Sequence, residues 1–221
     1  MVGPRLVVLS DTHGRHGDIR VPGGDLLLHA GDFTRRGEER ELAAFGDWLA
    51  QQPHAVKLLV PGNHDFLCQS DPDRARELLG GAELLLGTGA RFAGLSVWGS
   101  PWQPWFKDWA FNLPRGPILA EHWATAPADL DVLITHTPPA GVLDRTWRGE
   151  AVGCADLTAA LPRIRPRLHV FGHIHEARGR AVLPSGGLAL NACNLNLLYR
   201  PAHPVWVLDW EPDGPRVLSG D

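Results

Sequence analysis

Short apolar runs alternate along the chain with amphipathic stretches, and polar residues gather where the runs end. Leu6 to Ser10 and Asp25 to His29 each predict a strand covered on both faces, because a brief apolar run closed by polar or turn residues suits a buried sheet. Val56 to Val60, closing on Pro61-Gly62, predicts a third. Between the second and third, Glu38 to Ala50 carries Leu42, Phe45, Trp48 and Leu49 at i, i+3, i+4 spacing, the mark of a helix with one apolar face. Further strands are expected at Glu83 to Leu86, Phe92 to Trp98, Val132 to Thr135 and Leu168 to Phe171, and helices at Ile118 to Trp123 and Ala155 to Leu161. From Arg180 onward, short runs such as Leu188 to Asn191 and Val205 to Asp209 lie between Gly and Pro turns. Strands mixed with helices and followed by a β-rich tail predict an α/β fold with two packed sheets, in one domain.

Composition narrows the picture. With 221 residues, 44% hydrophobic and 21% charged, the chain is long enough for a sizeable core and is neither disordered nor membrane-embedded in pattern. No apolar segment is long enough to span a bilayer. A net charge of -4 leaves no basic footprint for tracking a nucleic-acid backbone. Cys68, Cys154 and Cys193 are odd in number, far apart and without a C-x-x-C spacing, so buried free thiols are expected. Together with an N-terminal region lacking a basic stretch and long apolar run, they predict a cytoplasmic protein; a monomer or small homo-oligomer is the expectation for its assembly.

Candidate chemistry sits in five segments, each just after an expected strand. They are Asp11-Thr12-His13, Gly31-Asp32, Gly62-Asn63-His64-Asp65, His136, and Gly172-His173-Ile174-His175. Carboxylate, carboxamide and imidazole donors without sulfur suit manganese, iron, cobalt, nickel or zinc, and disfavour calcium and copper(I). Residues two apart in extended chain point the same way, so Asp11 can converge with His13, and His173 with His175. Glycines at 31, 62 and 172 are expected to let the backbone turn beside the ligands. A carboxylate between two ions can bridge them, and Asp32 is the natural candidate.

The ordered set D-x-H, G-D, G-N-H-D, H and G-H-x-H resembles the calcineurin-like metallophosphoesterase superfamily. Ser10 to His16, Leu28 to Thr34, Pro61 to Asp65, Gly99 to Pro114, Thr135 to Pro139 and Arg165 to Glu176 extend the resemblance to its MPPED family of class III cyclic-nucleotide-type phosphodiesterases. The resemblance implies a four-layer α/β/β/α sandwich, two mixed sheets flanked by helices, with the whole of 1–221 as one metallophosphoesterase domain. It implies that Asp11, His13 and His175 hold one divalent ion, that Asn63, His136 and His173 hold a second, and that Asp32 is shared. Manganese is the first choice, with iron, zinc, cobalt or nickel as alternatives. His64 would be the catalytic histidine, assisting the leaving group as metal-activated hydroxide attacks a small phosphodiester or nucleotide, 2′,3′- or 3′,5′-cyclic ones included. A phosphomonoesterase of small esters is the alternative; a nucleotide-binding module without turnover is the non-enzymatic one.

Several residues are open to two readings. Trp98 to Trp109, rich in Trp and Pro, is either a braced loop burying aromatic area or an aromatic wall, with Trp102 and Trp105 the candidates for stacking on a substrate ring. Asn191 and Asn194 either reach the phosphate or hold a loop, and Arg145 and Arg148 either flank the phosphate or are solvated. Asp65 either orients His64 or caps the next turn. His16 is a candidate for the pocket's edge, whereas His29, His54, His122, His169 and His203 read as structural or surface residues. Many superfamily members continue the second motif as G-D-x-x-D-R-G; here Arg35 occupies the second aspartate's place, so His64 lacks its usual carboxylate partner and a phosphoprotein phosphatase is disfavoured.

Overall fold

The computed structural model describes residues 3–220. Fourteen strands occur among them: β1 (Arg5–Leu9), β2 (Leu26–His29), β3 (Val56–Leu59), β4 (Glu83–Leu84), β5 (Thr88–Phe92), β6 (Leu95–Ser100), β7 (Gln103–Pro104), β8 (Asn112–Leu113), β9 (Val132–Thr135), β10 (Leu168–Phe171), β11 (Gly179–Val182), β12 (Leu188–Asn191), β13 (Trp206–Glu211) and β14 (Gly214–Ser219). The helices are α1 (Glu39–Ala50), α2 (Phe66–Ser70), α3 (Pro72–Leu78), α4 (Pro117–Ala124) and α5 (Ala155–Ile164).

Two six-stranded sheets form, in the orders β14-β13-β1-β2-β3-β4 and β11-β12-β10-β9-β6-β5. Within the first, β1, β2, β3 and β4 run parallel, and within the second so do β6, β9, β10 and β12. Antiparallel strands close the edges, with β13 and β14 on one sheet and β5 and β11 on the other. Alternate residues of each strand face opposite layers, which is why the buried strands are apolar throughout. Leu6 and Val8 join Leu26, Leu28, Val132, Ile134, Val170 and Leu208 in the core between the sheets. Val7 and Leu9 turn outward to Leu42, Phe45 and Leu49 of α1. On the far side, Leu133 and Phe171 pack against Leu119 and Trp123 of α4 and Leu157 and Leu161 of α5. The layers are therefore α/β/β/α, as the resemblance implied.

Local departures from the sequence reading have physical causes. The strand expected at Phe92 to Trp98 is instead a hairpin: Ala93 (φ 47°) and Gly94 (φ 86°) reverse the chain between β5 and β6. Helices α2 and α3 are too short to show an apolar period; α3 starts at Pro72, and the Asp71 side chain accepts from Arg74 N. Helix α5 runs past Leu161 through Pro162 and stops at Arg165 in the left-handed conformation (φ 44°). Among the described residues no helix is long and apolar enough to cross a membrane.

Candidate metal centre and cleft

The parallel strands of both sheets end on one side, and the five motifs follow them there: 11–13 after β1, 31–32 after β2, 62–65 after β3, His136 after β9 and 172–175 after β10. Four of the expected ligands sit in the left-handed region, Asp11 (φ 55°), His13 (φ 41°), Asp32 (φ 55°) and His173 (φ 68°). Such backbone costs of order 1–3 kcal/mol per residue and persists where surrounding structure enforces it. Of the three motif glycines only Gly31 has positive φ. The other two are required by space: a Cβ at Gly62 would lie 2.2 Å from Asp32 Oδ1, and one at Gly172 2.0 Å from Asp11 Oδ2.

The structure brings the expected ligands together. Asp32 is central, its Oδ2 3.4 Å from His136 Nε2, 3.6 Å from His13 Nε2 and 3.9 Å from His64 Nε2. Asp32, His136 and His173 form one cluster with ligand atoms within 4.8 Å of one another, and Asp32, His13 and His64 form another. Asn63 Oδ1 lies 3.0 Å from His136 Nε2. Asp11 Oδ1 lies 3.3 Å from His175 Nε2, which is itself 3.3 Å from His13 Nε2.

Donor chemistry shows that this group fits a cation. His136 Nδ1 donates to Ala30 O (2.8 Å) and His175 Nδ1 to Asn196 O (3.1 Å), so each neutral ring presents an Nε2 lone pair inward. Those lone pairs face carboxylate and carboxamide oxygens. Acceptors converging on acceptors repel unless a proton or a metal ion lies between them. Without metal the proton is held tightly: burial would lower His136 and His175, but the Asp32 and Asp11 carboxylates overcome it and push both up to about 9. Burial drives His13 down to about 4 and His173 to about 3. Asp11 and Asp32, although buried, are held below the usual carboxylate range by the surrounding imidazoles.

His64 has a partner that its motif did not reveal. Its Nδ1 donates to the Arg35 main-chain carbonyl at 2.7 Å, and the Arg35 side chain turns away to donate to His13 O. The ring lies 4.0 Å, centroid to centroid, from Trp109. The Asp65 side chain does not bond His64, and at the N-cap of α2 it accepts from no helix amide. Its carboxylate accepts from Asp32 N, Thr34 N, Thr34 Oγ1 and Gly62 N, tying the second motif to the third. Burial and the Asp32 charge push Asp65 up to about 7 against those donors.

A cleft of about 450 Å³ opens over the centre. Trp105, Phe106, Trp109 and Tyr199 give it an aromatic side, and Lys107 and Arg115 add positive charge. Trp105 thus stands where an aromatic wall was expected. Trp102 does not: it packs on Phe111 (5.6 Å) within the layer around α1. Asn194 is also absent from the cleft, fully buried with its amide spent on Ser10 N and His203 O. Asn191 likewise holds a loop, through Ile174 O and Cys193 N. Arg145 binds Gly149 O and Arg148 lies over Trp147; neither lines the cleft. His16 packs on Phe45 and Trp48. Trp109, the last residue of the Trp98 to Trp109 segment, also lines the cleft, whereas sequence reasoning missed Tyr199 and Arg115, which belong to no motif.

Fold, motif order and converging ligands define a class, and the family model described as calcineurin-like phosphoesterase matches residues 4–177. The chain belongs to that family and is a metal-dependent phosphoesterase, a hydrolase. Metallophosphoesterase domain-containing protein 1 of Homo sapiens is 38% identical across 93% of this chain and 70% of its own length. UPF0046 protein K07C11.7 of Caenorhabditis elegans is 37% identical across 87% of this chain and 70% of its own. Among solved structures, TT1561 of Thermus thermophilus superposes with a TM-score of 0.66 at 15% identity over 98% of this chain and 99% of that one, a likeness of fold.

Proposed function

We propose that this phosphoesterase hydrolyses small phosphodiesters, nucleotide-like or 2′,3′- or 3′,5′-cyclic, at a centre of two divalent transition-metal ions sharing Asp32. Manganese is the first choice, and iron, zinc, cobalt or nickel suit the same donors. When bound, two such ions supply a water of lowered pKa and the positive charge that in-line attack at phosphorus requires. Asp11, His13 and His175 hold one, and Asn63, His136 and His173 the other. The Ala30 and Asn196 carbonyls fix the tautomers of His136 and His175, so both rings present lone pairs. His64 Nδ1 is engaged by Arg35 O, which leaves Nε2 to give a proton to the leaving oxygen. One observation supports the reading above all others: imidazole nitrogens from two separate clusters, His136 at 3.4 Å and His13 at 3.6 Å, converge on Oδ2 of the one Asp32 carboxylate. Three buried free thiols suit the cytoplasm, where we place the protein.

The cleft favours a diester, because its aromatic side gives a second substituent somewhere to lie beyond the phosphate. Elemental analysis of purified protein should find two transition-metal ions per chain. Turnover of bis(p-nitrophenyl) phosphate should exceed that of p-nitrophenyl phosphate, and the reverse ratio would move the assignment to a monoesterase. Trp105→Ala should raise KM for a cyclic nucleotide roughly tenfold, consistent with about 1–3 kcal/mol for a stacked base, and leave KM for a small alkyl diester unchanged. Equal rises on both substrates would remove the stacking role.

A further inference from the structure

Asp11 offers a metal two oxygens, and the structure treats them differently. Its carboxylate is fully buried. Oδ2 accepts from Ser10 Oγ at 2.6 Å, from Cys193 Sγ at 3.1 Å and from His173 N at 3.0 Å. Oδ1 shares the His173 amide at 3.1 Å and otherwise faces the imidazoles, 3.3 Å from His175 Nε2.

The thiol's position comes from a link between the two sheets. Beyond β12 the chain pairs with the end of β1 through a parallel bridge between Ser10 and Cys193. Ser10 N donates to Asn194 Oδ1 and Asn194 N to Ser10 O, while Asn191 Oδ1 accepts from Cys193 N. Gly172 closes the arrangement, since a Cβ there would lie 2.0 Å from Asp11 Oδ2 and 2.2 Å from Ser10 Oγ.

We propose that Ser10 and Cys193 are positioning residues that clamp Asp11 through Oδ2, leaving Oδ1 as its one ligand atom for the ion held with His13 and His175. This rests on Asp11 being a metal ligand, as proposed above. Cys193 has a rival role, because its sulfur and ligand atoms of Asp11 and His175 all lie within 4.8 Å of one another, as ligands of a soft metal would. The hydrogen bond decides for the clamp: a thiol at 3.1 Å from Oδ2 donates its proton to the oxygen that Ser10 also holds. An ion at Oδ1 then meets a carboxylate that cannot swing to chelate it. Partners of this kind tune metal affinity by about 10–100-fold.

Chelator-treated wild type, S10A, C193A and C193S are titrated with Mn²⁺ by calorimetry, with circular dichroism and thermal unfolding of each metal-free protein alongside. S10A and C193A should raise the Kd of the affected site about 10–100-fold. C193S restores a hydroxyl donor and should fall between C193A and wild type. Cobalt-loaded wild type should show no thiolate-to-cobalt charge-transfer band. Unchanged affinity in folded S10A and C193A overturns the clamp, as does a charge-transfer band that disappears in C193A. If C193A fails to fold, S10A and C193S decide by the same criterion. Wild type that takes up no ion at all removes the ligand assignment itself, and the clamp with it.

Discussion

A histidine that assists a leaving group needs one ring nitrogen held and the other free. In the role proposed for it, His64 has Nδ1 held by a main-chain carbonyl, Arg35 O at 2.7 Å, and Nε2 left over. A neutral carbonyl fixes the ring without adding a charge beside Asp32, whose own carboxylate lies 3.9 Å from His64 Nε2. His64→Ala should therefore keep its full metal content by elemental analysis and lose about 10²–10⁴-fold in kcat, the range of general acid catalysis. The loss should grow with the pKa of the leaving alcohol. A variant with intact metal and equal losses on good and poor leaving groups would show that His64 acts in some other way. Asp65 works at the same scale: four hydrogen bonds from one carboxylate hold the Asp32 and Gly62 turns in register.

Elements place these side chains. Because β1, β2, β3, β9 and β10 all run parallel to a neighbour, their carboxyl ends lie together, the usual position of a ligand site in α/β sheets. Helix α1 is the clearest element in sequence, through Leu42, Phe45 and Leu49 and through Glu41, which accepts from Arg36 N and Glu38 N at its start. The β5–β6 hairpin was hidden because Ala93-Gly94 lacks the Asn-Gly signature of a two-residue turn. Ala93 is exposed and left-handed, a conformation that Asn adopts more readily than Ala. Ala93→Asn should stabilise the protein by roughly 0.5–1 kcal/mol in denaturant unfolding, since the αL penalty is partly relieved. A neutral or destabilising result would place the strain elsewhere in the hairpin.

Across the molecule, buried histidines link folding to pH. Burial pushes His169, bonded to Thr135 Oγ1 between the strands, down to about 3 from an ordinary 6.5. A lowered histidine contributes stability above its unfolded pKa that is lost as pH falls toward the folded value. His136 and His175, raised to about 9, contribute in the opposite sense: fully below 6.5, and lost as pH rises through 9. Chelator-treated protein should thus lose Tm as pH falls from about 6.5 toward 4. His169→Gln, which keeps a donor but cannot titrate, should show a shallower fall. Identical slopes would mean that other groups govern acid unfolding.

The layered α/β plan was legible in the sequence, and so were the side chains that converge at the strand ends. Apolar periodicity and motif order are local signals, and each proposed ligand follows the end of a strand within a few residues. What surrounds those ligands was set by tertiary packing. Arg35 O meets His64 across 29 positions of chain and Cys193 meets Asp11 across 182, and no pattern within either segment records the meeting. Trp102 and Trp105 look alike in sequence, yet the packing of 103–104 beside 112–113 sends one inward and leaves the other on the cleft. Asn194 looked like a polar residue free to bind, but it is consumed in joining the two sheets. Which polar group remains available to substrate depends on which have already been paired by folding, and that is fixed only when distant segments pack.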